Sequence, residues 1–70
     1  MKIQVKQFDP ETGEETFCSL TETCQTPMQV AMGAVCNLHG AASFIDGSLG
    51  DEAWTLDRKN RVLAHYRRVG

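Results

Sequence analysis

One stretch constrains what this chain can fold into more than any other: Thr26 to Gly40, TPMQVAMGAVCNLHG, the only segment with the period and punctuation of a helix. Thr26 is a good N-cap, because its hydroxyl accepts from a free backbone N–H of the first turn. Pro27 falls at the first helical position, where its missing N–H costs nothing and its fixed φ suits the helix. Gln29 completes a T-x-x-Q capping box with Thr26. Gly40 is placed to end the helix in a left-handed conformation, and His39 sits in the last turn. Ala31, Ala34, Val35 and Leu38 follow the i, i+3, i+4, i+7 spacing of one apolar face built from small residues. Met28, Met32 and Cys36 form a second apolar set beside it. Gly33 costs about 1 kcal/mol relative to Ala inside a helix, and is expected to mark close packing.

The rest of the chain reads as strand and turn. Lys2 to Phe8 alternates, with Ile3 and Val5 on one face. Asp9 to Gly13 is a turn in which Pro10 presets φ and Gly13 takes the left-handed conformation. Glu14 to Leu20 returns; its two faces, Thr16/Cys18/Leu20 and Glu15/Phe17/Ser19, are not ranked by pattern. Ser43 to Ile45 is a third strand, followed by a flexible connection at Gly47 to Gly50. Ala53 to Leu56 is a fourth, with Trp54 and Leu56 sharing a face. Asp57 to Asn60 is a turn. Arg61 to Arg68 is a fifth strand, with Val62, Ala64 and Tyr66 opposed to Leu63, His65 and Arg67.

The order β-β-α-β-β-β predicts one α+β domain over residues 1–70, a twisted antiparallel sheet of about five strands with the helix across one face. The alternative architecture is a half-open barrel closed by the last strand against the first. The expected core is Ile3, Val5, Val30, Ala31, Ala34, Val35, Leu38, Phe44, Trp54, Leu56 and Val62. It is small, as befits 70 residues, a length at which burial alone gives marginal stability. There is no apolar run long enough for a membrane span and no secretory leader, so a cytoplasmic location is expected. Three cysteines, an odd number, fit reduced thiols better than a disulfide framework.

Catalytic and metal-binding signatures are sparse. Cys36 and His39 form a short pair, but the spacings from Cys18 and Cys24 match no standard zinc pattern. Buried cysteine as a small hydrophobe is the better reading, so neither metal nor cofactor is expected. No phosphate loop or nucleotide fingerprint occurs. Asp46, Asp51, Glu52 and Asp57 flank turns, where turn chemistry explains them, and His65 reads as an exposed strand residue. The chain is therefore expected not to be an enzyme.

Charge is the stronger signal. The formal net charge is −2, but residues 1–35 carry Lys2 and Lys6 against Asp9, Glu11, Glu14, Glu15 and Glu22. Residues 58–70 carry Arg58, Lys59, Arg61, Arg67 and Arg68 and no acid. Arg58, Lys59, Arg61, Tyr66, Arg67 and Arg68 make a basic set with an aromatic, of the kind that binds phosphate backbones, although a pI near 5.5 weighs against it. Glu11, Glu14 and Glu15 make an acidic hairpin suited to a basic protein groove. The two charged hairpins are expected to be working surfaces held apart by the helix.

Cys36-Asn37-Leu38-His39-Gly40, the following strand, the Trp54-Thr55-Leu56 strand and the final strand together resemble a group of small phage-encoded anti-CRISPR inhibitors. The likeness covers the second half of the chain. Those proteins carry a Cys-x-His-Gly step between helix and third strand; this chain has one more residue between Cys36 and His39 and a longer connection at Gly47 to Gly50. The resemblance implies a non-enzymatic protein that binds a host protein or ribonucleoprotein surveillance complex and blocks or misdirects its DNA binding, in the cytoplasm of the host cell. Two other classes stay open: a direct nucleic-acid-binding module using the basic set, and a structural homo-oligomer pairing through an edge strand or the Met28–Met32 strip.

Overall fold

The computed structural model describes residues 1–35 and 40–70, with the backbone but not the side chain of Ser48. Its elements are β1 (Lys2–Phe8), β2 (Glu15–Glu22), α1 (Pro27–Val35), β3 (Ser43–Gly47), a short 3-10 turn (Ser48–Gly50), β4 (Glu52–Leu56) and β5 (Val62–Arg68). The strands form one antiparallel sheet in the order β2-β1-β5-β4-β3. This is an α+β fold with the expected element order. β5 does pair with β1, Val5 opposite Tyr66, but the sheet stays open, with β2 and β3 as its edges, and no barrel closes.

Local signals placed the elements. The Thr26 hydroxyl accepts from the Gln29 N–H at 3.2 Å and the Thr26 N–H donates to Gln29 Oε1 at 2.9 Å, a reciprocal capping box. Gly13 and Gly40 have φ of 77° and 87°, the left-handed region that glycine enters without penalty. The expectations for Cys36, Leu38 and His39 lie outside the described residues.

The helix packs on β3, β4 and β5. Its contact with the sheet is small residue against small residue. Ala31, Ala53 and Ala64 are fully buried and form one cluster with Ile3 and Tyr66, while Val5, Met28, Val30 and Ala34 pack around it. Small side chains on both surfaces let the helix axis come close to the sheet.

Three expected core residues lie elsewhere. In β4 the buried positions are Ala53 and Thr55, so Trp54 and Leu56 point away from the helix by strand alternation. In β5 the register slips: Thr55 pairs with Ala64, but Leu56 pairs with Val62. Leu63 is therefore the extra residue of a β-bulge, and beyond it the alternation inverts. Leu63 and Ala64 are buried together, whereas Val62 is 38% exposed beside His65. Phe44, opposite Thr55 on the helix side, is 36% exposed. Among the described residues nothing lies within reach of a Cβ added at Gly33, which is exposed, so no close packing marks it.

Two substitutions test this packing. Gly33→Ala is expected to stabilise the protein by about 0.5–1 kcal/mol, because it removes backbone entropy without a clash. In a domain this small, each kcal/mol raises the thermal midpoint by about 4–8 °C. Leu63→Ala is expected to cost about 2 kcal/mol or more, against about 0.5 kcal/mol for Val62→Ala. Equal losses in denaturant titrations would rule out the bulge.

Candidate functional site

The β4–β5 turn is organised by one carboxylate. Asp57 Oδ1 accepts from the backbone N–H groups of Lys59 and Arg61, both at 2.8 Å, and Oδ2 accepts from Arg61 Nε at 2.7 Å. The Asn60 N–H closes the turn onto the Asp57 carbonyl, with Asn60 at φ 63°. The hydrogen bond from the Arg61 backbone, outweighing partial desolvation, holds the Asp57 carboxyl below its ordinary value. Arg58 and Lys59 are thereby presented to solvent, while Arg61 is tied back along the turn.

The β1–β2 loop is built the same way. The Asp9 carboxylate accepts from the Glu11 N–H at 2.8 Å, and the Thr12 hydroxyl accepts from the Glu14 N–H at 3.2 Å. The Asp9 N–H closes the loop onto the Glu14 carbonyl. Glu11 and Glu14 are exposed, and Glu15 lies 3.6 Å from Lys6.

The acidic and basic hairpins are not held apart. Because β1 and β5 are antiparallel neighbours, with Gln7 opposite Ala64, the end of β1 lies beside the start of β5. Both loops thus fall at one end of the sheet. Between them runs a concavity of about 440 Å³, with Phe8 and Pro10 on one side, Trp54, Val62 and His65 on the other, and Arg61 alongside.

The expected basic set divides. Arg58, Lys59 and Arg61 share the loop end. Arg67 and Arg68 lie at the far end of β5, where Arg68 is 3.5 Å from Asp51. Tyr66 is 1% exposed, in the core beneath the helix, so it presents no aromatic surface to a partner. Burial pushes its phenol up, partly opposed by the Thr55 hydroxyl. The Met28–Met32 strip also divides: Met28 packs on the core and Met32 is 51% exposed.

The sheet face opposite the helix carries Trp54, which was expected in the core, together with His65. Cross-strand partners share a face, so Lys6, His65, Trp54 and Ile45 form one row across β1, β5, β4 and β3. Gln4, Arg67 and Glu52 form the next. Trp54 and His65 stack with ring centroids 5.0 Å apart and planes 19° from parallel. A Cβ on Gly47 would collide with the Trp54 ring, so glycine is what lets the indole lie flat over the end of β3. Ile45 is 50% exposed on this face. At the tip of the following turn, Leu49 is fully exposed and left-handed at φ 59°, an uncommon conformation for leucine.

His65 is not the exposed residue that its strand position suggested. It is half-buried against Trp54, and its Nε2 atom is buried without a hydrogen bond among the described residues; Glu52 Oε2 stands at 3.8 Å. Desolvation lowers its pKa, Glu52 pulls it back up, and Arg67 and Lys6 lower it further. The imidazole is neutral at pH 7. Among the described residues no three His, Cys, Asp or Glu side chains are grouped as metal ligands; Cys18 and Cys24 are exposed, and Cys36 and His39 lie outside those residues. No helix of the described residues is long and apolar enough to cross a membrane.

Comparison of the chain with family models, with curated proteins and with solved structures gave no match in any of the three.

The His65 environment sets a pH dependence. Its folded pKa lies below the unfolded value of about 6.5, so the unfolded chain takes up the proton first. The stability it contributes is complete above that value and is lost as pH falls through the folded pKa. Denaturant midpoints are therefore expected to drop on acidification below about pH 6.5, and His65→Gln to remove that part of the slope. The emission of the single tryptophan is expected to report the same titration.

Proposed function

We propose that the chain is a non-enzymatic binding protein that uses the helix-free sheet face, and the loop end continuous with it, to occupy a macromolecular partner. The observation that supports this most directly is the row Lys6, His65, Trp54, Ile45. It places a stacked aromatic pair and an exposed aliphatic side chain on an uncovered sheet, with charged groups alongside. Aromatic and arginine anchors surrounded by near-neutral contacts are the usual energetic centre of a protein interface. The finer reading, carried by the resemblance to small anti-CRISPR inhibitors, is that the partner is a nucleic-acid-guided surveillance complex whose DNA binding is occluded or misdirected.

A second reading has its own observation. Lys6 and Arg67 border the Trp54–His65 stack, and stacking platforms flanked by cations bind single-stranded nucleic acid with strong salt dependence. The acids Glu15 and Glu52 on Lys6 and His65 weigh against it.

Both readings are tested with the same variants. Ile45→Asp changes a half-exposed side chain and is expected to leave the fold intact; Arg67→Glu sets a carboxylate opposite Glu52 and is expected to lower the thermal midpoint slightly. On the first reading the wild-type protein co-elutes with purified CRISPR-type complexes and reduces their target-DNA binding in stoichiometric amounts. Each variant then weakens association by about tenfold or more. Absence of association across a panel of such complexes would sink that reading. Retention of free oligonucleotides, fading steeply with salt and with Arg67→Glu, would favour the second.

A further inference from the structure

We propose that the outer edge of β2 is a docking strand, which takes an extended, lysine- or arginine-bearing segment of a partner protein as a further strand of the sheet. The ladder fixes which backbone groups are available. The Thr23 N–H donates to the Met1 carbonyl, and the register runs without interruption from Lys2 opposite Glu22 to Gln7 opposite Phe17. By antiparallel alternation, the peptide groups of Thr21 and Ser19 face β1, and those of Glu22, Leu20 and Cys18 face outward.

A bulge at Thr16, where Gln7 pairs with Phe17 and Phe8 with Glu15, guards the start of this edge, and from Phe17 to Glu22 the described residues supply no bulge or cover. From Glu15 to Glu22 the strand has no proline, lysine or arginine, and the helix covers β3, β4 and β5 instead. Phe17 and Leu20, on opposite faces, are 50% and 63% exposed, so an added strand would gain side-chain contacts on both sides of the sheet as well as main-chain hydrogen bonds.

Charge selects the occupant. Residues 9–25 hold Asp9, Glu11, Glu14, Glu15 and Glu22 and no lysine or arginine. A second copy would bring acid against acid through β2, and β3, the other edge, has Asp46 and no cation. The chain's own cationic strands, β1 and β5, are interior to the sheet. Glu15 lies 3.6 Å from Lys6 and Glu22 3.0 Å from the N-terminal ammonium, but both carboxylates stay exposed and the edge strand brings no cation of its own, so a basic extended segment from another protein complements it.

The inference rests on reading the chain as a binding protein, and its test separates the two. The purified protein is panned against a displayed library of peptides of about ten residues, alternating Val, Ile or Thr with randomised positions. Lysine and arginine are expected to be enriched at the randomised positions, and a bound peptide to protect the Leu20 N–H from hydrogen exchange. Affinity is expected to fall about tenfold or more with Leu20→Pro, which removes an outward N–H and no ladder bond. It is expected to fall similarly with Glu15→Gln plus Glu22→Gln, a pair that keeps the test sound if the proline variant unfolds. Enrichment of no peptide, enrichment without cations, or indifference to these substitutions would overturn the proposal. So would concentration-dependent protection of the Leu20 N–H without peptide, which assigns the edge to a second copy. Association with a guided complex that survives Leu20→Pro, with no basic peptide enriched, keeps the binding-protein reading and overturns strand addition alone.

Discussion

The contact of Ala31 with the Ala53–Ala64 floor of the sheet decides where everything larger must go. A nine-residue described helix lies on β3, β4 and β5 through side chains with little volume. Close approach brings Ile3 and Tyr66 into the same cluster and completes a core whose largest fully buried side chains are Tyr66, Ile3, Thr55 and Pro27. An indole at position 53 or 55 would hold the helix off the sheet and leave a void around it, and voids of even methyl size are costly. Alternation then sends Trp54 to the far face. There it overlies Gly47 and stacks on His65. The aromatic face is thus a consequence of the alanine floor beneath the helix.

The β5 bulge belongs to the same constraint. Without it, Val62, Ala64 and Tyr66 would share the helix face and Leu63 would lie with His65. The extra residue turns Leu63 inward, where it adds burial next to Ala64, and turns Val62 outward to line the concavity with Trp54 and His65. It sits next to the Asp57 turn, whose three hydrogen bonds to one carboxylate fix the strand entry at Arg61. Bulges increase local twist, and this one lies where β5 meets the end of β1, beside the groove between the two loops.

What was legible in the sequence was local. The capping box at Thr26 and Gln29, the left-handed Gly13 and Asn60, the Asp57 turn and the element order all depend on residues within a few positions of one another, so their chemistry is visible in a linear reading. What was not legible depends on pairing across the chain. Nothing near Leu63 announces a bulge, since the slip exists only relative to β4. The choice between Ala53/Thr55 and Trp54/Leu56 as the inner face runs against hydrophobicity, because close packing of a small-faced helix outweighs the burial of the larger side chains. The charge map failed for a similar reason. Acids near the start and bases near the end look separated in sequence, yet the antiparallel pairing of β1 and β5 places both loops at one end of the sheet and sends Arg67 and Arg68 to the other. Tyr66, read with those arginines, follows its strand face into the core.

A core this small leaves apolar surface unassigned, and where it lies is informative. Ile45 on the open face, Phe17 and Leu20 on the β2 strand, and Leu49 at a turn tip are all at least half exposed. None of them is needed to cover the helix, and each exposed apolar side chain forgoes the burial that makes it useful in a 70-residue domain of marginal stability. Leu49 adds backbone strain to exposure, a combination that folding alone does not favour. These residues do not form one patch. Phe17 and Leu20 belong to the free edge, Ile45 joins the aromatic row at the opposite side of the sheet, and Leu49 projects beyond it. A single flat partner surface would not reach them all. A partner lying across the helix-free face and a strand added at β2 would together cover most of them, and the two would meet at Leu20, which shares that face with Gln4.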